Sequence, residues 1–276
     1  MRPQHRFDAR DGGRCGPLAR LATVRTSMIT DHFARTRPIA LLVAAAVLSV
    51  VSGACGGDSD AAAPVGSASR KVTVAGDSIS VGLGSHLRTV LQGDDEGDDG
   101  DDMVVKVIGE GGTGLARPDN FDWPSRIRAL AAEFPPDVLV FSVGSNDAQD
   151  LTDADGRVVV TMSDEEAWDA EYSRRLTEVF DAFAPADGGS ARTKVIWVGH
   201  VRAKKQVVGD TNRRVHELAA SVAADRPWVE VEDLGELLGT GDGEASRCLL
   251  PDGLHLTADC LDEAARALVP AVDVGQ

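Results

Sequence analysis

The stretch KVTVAGDSISVGLGSHLRTVLQ, residues 71–92, decides the fold. Its first five residues form a short β-branched run that Gly76-Asp77-Ser78 ends, and a helical pattern begins near residue 79. A strand that turns through glycine straight into a helix is the first half of a βα unit. The succession repeats along the chain. β-rich runs stand at MVVKVI (103–108), VLVFSV (138–143), KVIWV (194–198) and VEVEDL (229–234), with helical patterns near 79–92, 124–134, 165–183, 211–225 and 257–269. Four of the five β-rich runs are continuous apolar stretches, as strands covered on both faces are. The series predicts an α/β fold: a doubly wound, flavodoxin-like three-layer sandwich around a five-stranded parallel sheet, with functional residues at the carboxyl ends of the strands. LTDADGRVVVTMS (151–163) falls outside the series, and its Asp155-Gly156 predicts a hairpin turn.

At 276 residues, 43% hydrophobic and 26% charged, the chain has the apolar content of a folded domain and lacks a collagen-like repeat. Its net charge of −16 opposes nonspecific attraction to nucleic acid or anionic membrane. The charge is unevenly placed. Residues 1–55 hold eight Arg and three Asp, whereas residues 56–276 hold 20 basic and 41 acidic side chains, so +5 stands against −21. Such a break separates a targeting segment from a mature domain.

IALLVAAAVLSVV, residues 39–51, is apolar except for Ser49; Arg35 and Arg37 precede it and Ser52-Gly53-Ala54-Cys55 follows. A bilayer span needs about 20 apolar residues, so these thirteen read as a signal-peptide core. A cysteine after small residues at its end resembles a bacterial lipoprotein cleavage site, with Cys55 as the acylated anchor. Met28 gives a leader of ordinary length, which makes residues 1–27 a mis-called start. The chain thus divides into a leader (1–55), a flexible linker (56–69) and a folded domain (70–276). It is expected to be exported, either held on the outer face of the cytoplasmic membrane by lipid alone or secreted, and to act as a monomer. Cys15 and Cys55 belong to the leader or anchor, leaving Cys248 and Cys260, and a lone pair in an exported domain reads as a disulfide. Two cysteines make a poor zinc site. The acidic tract DDEGDDGDD (94–102) lacks the ligand spacing of a calcium loop and reads as a solvated loop. No metal or other cofactor is expected.

Three polar blocks follow the first, third and fifth of the β-rich runs. Gly76-Asp77-Ser78 places a hydroxyl at a helix N-terminus, where free backbone N–H groups and a positive dipole end suit a developing oxyanion. By itself the tripeptide means little, since a second copy, Gly57-Asp58-Ser59, lies in the linker with no strand or helix around it. Position and order supply the meaning. Gly144-Ser145-Asn146-Asp147 follows the third run, and Asp252-Gly253-Leu254-His255 follows the fifth.

With the glycine segment Gly109-Glu110-Gly111-Gly112-Thr113-Gly114, these blocks resemble, in order and over about residues 70–270, the SGNH or GDSL-type hydrolases. Residues 114–119 (GLARPD), Asp122-Trp123, Gln149, Trp168 and Tyr172 are similar to one exported, uncharacterised bacterial branch of that family. The resemblance implies that Ser78 is a nucleophile, His255 its base, and Asp252 the group that orients His255. It also implies an oxyanion hole from the Ser78 N–H, a glycine N–H and the Asn146 side chain. Counting from the strand favours Gly111, with Gly112 and Gly114 also in the segment. Asp77 and Asp147 read as holding their turns through side-chain to backbone hydrogen bonds. His200 ends the fourth run, where a pocket role competes with a satisfied strand-end histidine. His86 and His216 are expected to face solvent. Trp123 is a candidate for stacking on a sugar or for core packing, and Trp168 with Tyr172 for ordinary helix packing. A Cys248–Cys260 bond would close a loop around both partners of Ser78.

These readings lead to an exported serine esterase acting on a small-molecule or glycan ester, such as an O-acetyl group of an envelope carbohydrate. Two alternatives remain from the sequence: an O-acyltransferase using the same acyl-Ser78, and a noncatalytic envelope-binding lipoprotein. Arg117, Arg202, Lys204 and Lys205 are candidates for a locally basic site.

Overall fold

The computed structural model describes residues 69–93, 103–186, 188–240 and 247–273. The signal-peptide core, Cys55, most of the linker and the acidic tract lie outside them. None of the described helices is long and apolar enough to cross a membrane.

Five strands form one parallel sheet: β1 (Arg70–Gly76), β2 (Met103–Gly109), β3 (Val138–Ser142), β6 (Lys194–Gly199) and β7 (Val229–Asp233), ordered β2-β1-β3-β6-β7. Every pairing between them is parallel. The intervening β4 (Leu151–Thr152) and β5 (Val158–Val160) pair antiparallel as a separate hairpin. Its turn carries Gly156 at φ +79°, and the Asp153 carboxylate accepts from the N–H groups of Asp155 and Arg157.

The helices are α1 (Ser78–Gln92), α2 (Trp123–Glu133), α3 (Glu165–Asp181), α4 (Gln206–Ala223), the short α5 (Leu234–Leu237) and α6 (Ala258–Val272). Strand alternation sorts the core into two layers. Val72, Val74, Val138, Val140, Ile196 and Val198 pack with Leu83 and Leu87 of α1 and Leu268 of α6. Ala75, Leu139, Phe141, Val195 and Trp197 face the other way, against α2, α3 and α4. The result is the expected three-layer sandwich.

Two departures from the sequence reading bear on the site. α4 starts five residues earlier than expected, at Gln206, because its N-cap is Lys205, which makes no side-chain capping bond and so gives no cap signal. α5 is a single turn that follows β7 directly, capped by Asp233 accepting from the Glu236 N–H at 3.0 Å.

Cys248 and Cys260 are disulfide-bonded and buried. The bond ties the segment before α6 to its first turn, where Thr257 is the N-cap. Closing so short a loop is worth about 3 kcal/mol. Reduction, or Cys248→Ser, is therefore expected to lower the melting temperature by on the order of 10 °C for a domain of this size, read by calorimetry. An unchanged melting temperature would refute that contribution.

Candidate active site

The site starts where β1 meets β3. Gly76 has φ +140°, and a Cβ there would lie 1.9 Å from the Ser142 carbonyl oxygen. Only glycine permits this approach. The Asp77 N–H then donates to that same carbonyl at 3.2 Å, and the Asp77 carboxylate caps α1 by accepting from the Ile79 N–H at 2.9 Å. Ser78 becomes the first residue of α1, where backbone N–H groups have no acceptor one turn back. Its Oγ lies 2.8 Å from His255 Nε2, and His255 Nδ1 lies 2.8 Å from Asp252 Oδ2.

His255 and Asp252 arrive on a tight turn outside the sheet. Leu249 bridges Leu256, the Leu250 N–H donates to the His255 carbonyl at 2.7 Å, and the Gly253 N–H donates to the Leu250 carbonyl at 2.9 Å. Asp252 Oδ1 accepts from the N–H groups of Leu254 and His255. The His255 hydrogen bond and these two backbone donors hold the Asp252 pKa down to about 2, so the carboxylate is charged at neutral pH. With its Nδ1 proton held by that carboxylate, His255 presents Nε2 to Ser78 as an acceptor. The two side chains are 38% and 48% exposed, which leaves the site open to solvent.

Gly111 lies beside Ser78, because a Cβ on it would come 3.9 Å from the Ser78 Cβ. The other two glycines are placed differently. Gly112, at φ +77°, has nothing so close, and a Cβ on Gly114 would strike the Asp147 carboxylate at 2.1 Å. Asn146 Nδ2 donates to the Thr113 carbonyl at 2.9 Å and to Asp77 Oδ2 at 3.2 Å, while Gln149 donates to the Asn146 carbonyl. Both hydrogens of the Asn146 amide are engaged, so donation to a substrate oxygen would replace the longer bond, to Asp77.

Behind this surface lies a buried polar layer. Asp147 is fully buried and accepts from the Ala116 N–H (2.7 Å), the Leu115 N–H (3.2 Å) and the Tyr172 hydroxyl (2.7 Å). Arg175 grips the same segment from its other side, donating to the carbonyls of Leu115 (2.7 Å) and Ala116 (3.1 Å). Burial raises the pKa of Asp77 to about 7 and that of Asp147 to about 6, against the lowering effect of their hydrogen bonds. Burial also lowers His200 to about 4, so it is neutral at physiological pH. Its tautomer follows from its partners. Ser142 Oγ donates to the Val198 carbonyl and therefore accepts from His200 Nε2–H, leaving Nδ1 to accept from the Ser145 N–H and hydroxyl. Asn212 Nδ2 in turn donates to Ser145 Oγ and the Val201 carbonyl.

The structure thus brings Ser78, His255, Asp252, Gly111 and Asn146 together and gives Asp77 and Asp147 turn-holding contacts. It places other candidates elsewhere. Trp123 is fully buried, with its indole N–H bonded to Thr113 Oγ1 and its ring edge-on to Phe141, so stacking on a sugar is excluded. His86 and His216 are half-buried. Arg117 is paired with Asp119 and Arg202 with Asp210. Tyr172, Arg175, Ser142, Ser145 and Asn212 carry no sequence signal for their roles, beyond the placement of Tyr172 one turn from Trp168, on which it stacks at 4.7 Å. Among the described residues no three His, Cys, Asp or Glu side chains are placed to hold a metal ion.

The sheet order, together with a serine after β1, a glycine loop after β2, an Asn-Asp after β3 and an Asp-x-x-His before the last helix, defines an SGNH, or GDSL-type, hydrolase architecture. The chain belongs to the family described as protein of unknown function (DUF459), whose model matches residues 71–266. No curated protein matches the sequence. Among solved structures, a protein from Slackia heliotrinireducens assigned to the SGNH hydrolases is 17% identical, covering 74% of this chain and 99% of its own, with a TM-score of 0.51. The native aryl esterase of M. smegmatis is 16% identical (74% and 98%, TM-score 0.51). A lipolytic protein of the G-D-S-L family from Veillonella parvula is 15% identical (75% and 100%, TM-score 0.51). At such identities the likeness is one of fold.

A buried carboxyl with a raised pKa holds its proton more tightly folded than unfolded. Its stability contribution is complete below the unfolded pKa of about 3.9 and is lost as the pH rises through the folded value. For Asp147 the window ends near pH 6. Melting temperatures of wild type and Asp147→Asn, compared from about pH 4 to about pH 8, are expected to show the variant gaining on wild type as the pH rises through that window. A constant difference would refute a raised Asp147 pKa.

Proposed function

We propose that the protein is an exported serine ester hydrolase working through an acyl-Ser78 intermediate. The observation that carries the reading is the unbroken hydrogen-bonded chain from Ser78 through His255 to Asp252, with its serine on a helix N-terminus. Ser78 Oγ attacks the ester carbonyl carbon while His255 Nε2 takes its proton. The tetrahedral oxyanion accepts from the N–H groups of Ser78 and Gly111 and from Asn146 Nδ2. Collapse breaks the bond to the alcohol oxygen, to which His255 returns the proton. A water then gives its proton to His255 and attacks the acyl carbon, and collapse breaks the bond to Ser78 Oγ, to which His255 returns that proton, releasing the acid and restoring Ser78.

Exposure of the His255 and Asp252 side chains favours water as the second acceptor, which supports hydrolysis over acyl transfer. An intact relay is also unneeded in a noncatalytic binder. The leader places the substrate outside the cytoplasm, where O-acetyl groups of envelope carbohydrate fit an open site reached by a domain on a short tether from Cys55.

Purified protein assayed on 4-nitrophenyl acetate tests the reading. Turnover is expected in wild type and lost in Ser78→Ala, and a fluorophosphonate is expected to label Ser78. Asn146→Ala should cut kcat on the order of a hundredfold, as loss of an oxyanion donor does elsewhere. Absence of both serine-dependent turnover and labelling would sink the proposal.

A further inference from the structure

Lys204 adjoins the His255 turn, and Lys205 follows it in the chain. The Lys204 N–H donates to the Gly253 carbonyl at 2.8 Å. Gly253 has φ +72°, and a Cβ on it would lie 2.5 Å from Lys204 Cβ and 3.0 Å from Cδ. The lysine stem therefore runs along the backbone between Asp252 and His255. Lys204 and Lys205 are both exposed. Among the described residues neither makes an ion pair, although Arg202, Arg213 and Arg214 around them pair with Asp210, Glu217 and Asp169. In a chain with 44 acidic and 28 basic residues, two adjacent unpaired cations run against the composition.

Helix stability does not explain them. A cation at a helix N-terminus faces the positive end of the dipole and is unfavourable there. The other described helices start on Asp77, Asp122, Asp164, Asp233 or Thr257, each accepting a backbone N–H, whereas α4 starts on Lys205 with no such bond. The lysines also lie on a definite side of the reaction. His255 must return its proton to the leaving alcohol, so the alcohol portion of the substrate approaches the turn that carries it. β6, from whose end the lysine segment departs, and β2, which leads to exposed Glu110 beside Gly111, lie on opposite sides of β1. The lysine segment thus adjoins the turn that the alcohol portion approaches, and Glu110 lies on the side of the glycine loop. Asp252 in the same turn is engaged by His255 and two backbone N–H groups.

We infer that Lys204 and Lys205 form a subsite for an anionic group, a carboxylate or phosphate, on the alcohol portion of the ester. The inference rests on the esterase reading and narrows its substrate class.

The test compares kcat/KM of the whole protein for 4-acetoxybenzoate, with its anion on the leaving group, and for neutral methyl 4-acetoxybenzoate. Comparing the ratio between variants cancels the difference in leaving-group reactivity. In Lys204→Gln/Lys205→Gln the anionic-to-neutral ratio is expected to fall about fivefold through KM, the scale of two exposed charge contacts, and Lys204→Arg should retain it. The ratio should also fall as salt shortens the screening length. The matching ratio for 4-nitrophenyl hemisuccinate over 4-nitrophenyl acetate, with the anion on the acyl side, should not fall. Binding of 4-hydroxybenzoate to Ser78→Ala, followed by NMR titration, reads the subsite without turnover and should weaken on the double lysine replacement. Ser78-dependent turnover with an unchanged leaving-group ratio, or 4-hydroxybenzoate binding indifferent to the lysines, overturns the subsite alone. Lack of Ser78-dependent turnover on every ester overturns the esterase reading, and the binding measurement then decides the subsite by itself.

Discussion

The approach of Gly76 to Ser142 is the constraint on which the site depends. At 1.9 Å from a carbonyl oxygen, no Cβ can exist at position 76, and the contact brings the end of β1 down onto β3. Once there, the Asp77 N–H is satisfied by the Ser142 carbonyl, the Asp77 carboxylate turns inward to cap α1, and Ser78 stands at the head of a helix at the carboxyl edge of the sheet. Two roles that a free loop would have to reconcile, backbone satisfaction and presentation of a hydroxyl, are met by one turn. Ser142 also accepts from His200 through its side chain, so the same residue fixes both β1 and the end of β6.

The loop after β3 is held from several directions at once. Asp147 collects the N–H groups of Leu115 and Ala116 while Arg175 collects their carbonyls, which leaves that segment little freedom to rotate. Neutral His200 and Asn212 clamp Ser145, the neighbour of Asn146. Asn212 Oδ1 is buried without a partner, but displacing any of these paired groups would leave a further buried polar group unpaired, which stiffens the network. Asn146 is thereby held against Asp77, the neighbour of Ser78, through contacts that do not involve substrate, and of these the bond to Asp77 is the one that the proposed oxyanion would replace.

What was legible in the sequence was local. A buried parallel strand announces itself by an apolar run, and each block after a strand is marked by Gly, Asn or Asp, so the five strands, the hairpin at Gly156 and the placement of Ser78, Asn146, Asp252 and His255 could be read within windows of a few residues. What was hidden is pairwise and distant. Nothing near Tyr172 reports that its hydroxyl meets Asp147, 25 positions away, and nothing near His200 reports Ser145, 55 positions away. Trp123 could be offered to a sugar from sequence because exposure depends on what α2 packs against. The start of α4 was missed because a lysine occupies the position where a capping acid or hydroxyl would have marked it. Counting from the strand favoured Gly111 among the three glycines, but that it lies beside Ser78 while a Cβ on Gly114 would strike Asp147 shows only in space.

The two halves of the candidate relay are built differently, and the difference accounts for the disulfide. Ser78 is positioned by the sheet itself, whereas His255 and Asp252 sit 177 and 174 positions later on a turn that no sheet strand supports. Proton transfer needs the His255 Nε2 to Ser78 distance held to a few tenths of an ångström. Short-range backbone bonds shape the turn internally but do not fix it to the rest of the molecule. Besides the burial of Leu256 in the core, two bonds contribute to that: the Cys248–Cys260 bond, which roots the turn in the first turn of α6, and the Lys204 N–H hydrogen bond, which reaches Gly253 from the end of β6. One attachment ties the turn to a helix of one layer, the other to the carboxyl edge of the sheet. The His255–Asp252 pair is therefore braced on two sides while its imidazole remains open to water, the combination that the proposed acyl-Ser78 intermediate needs in order to be both formed and hydrolysed.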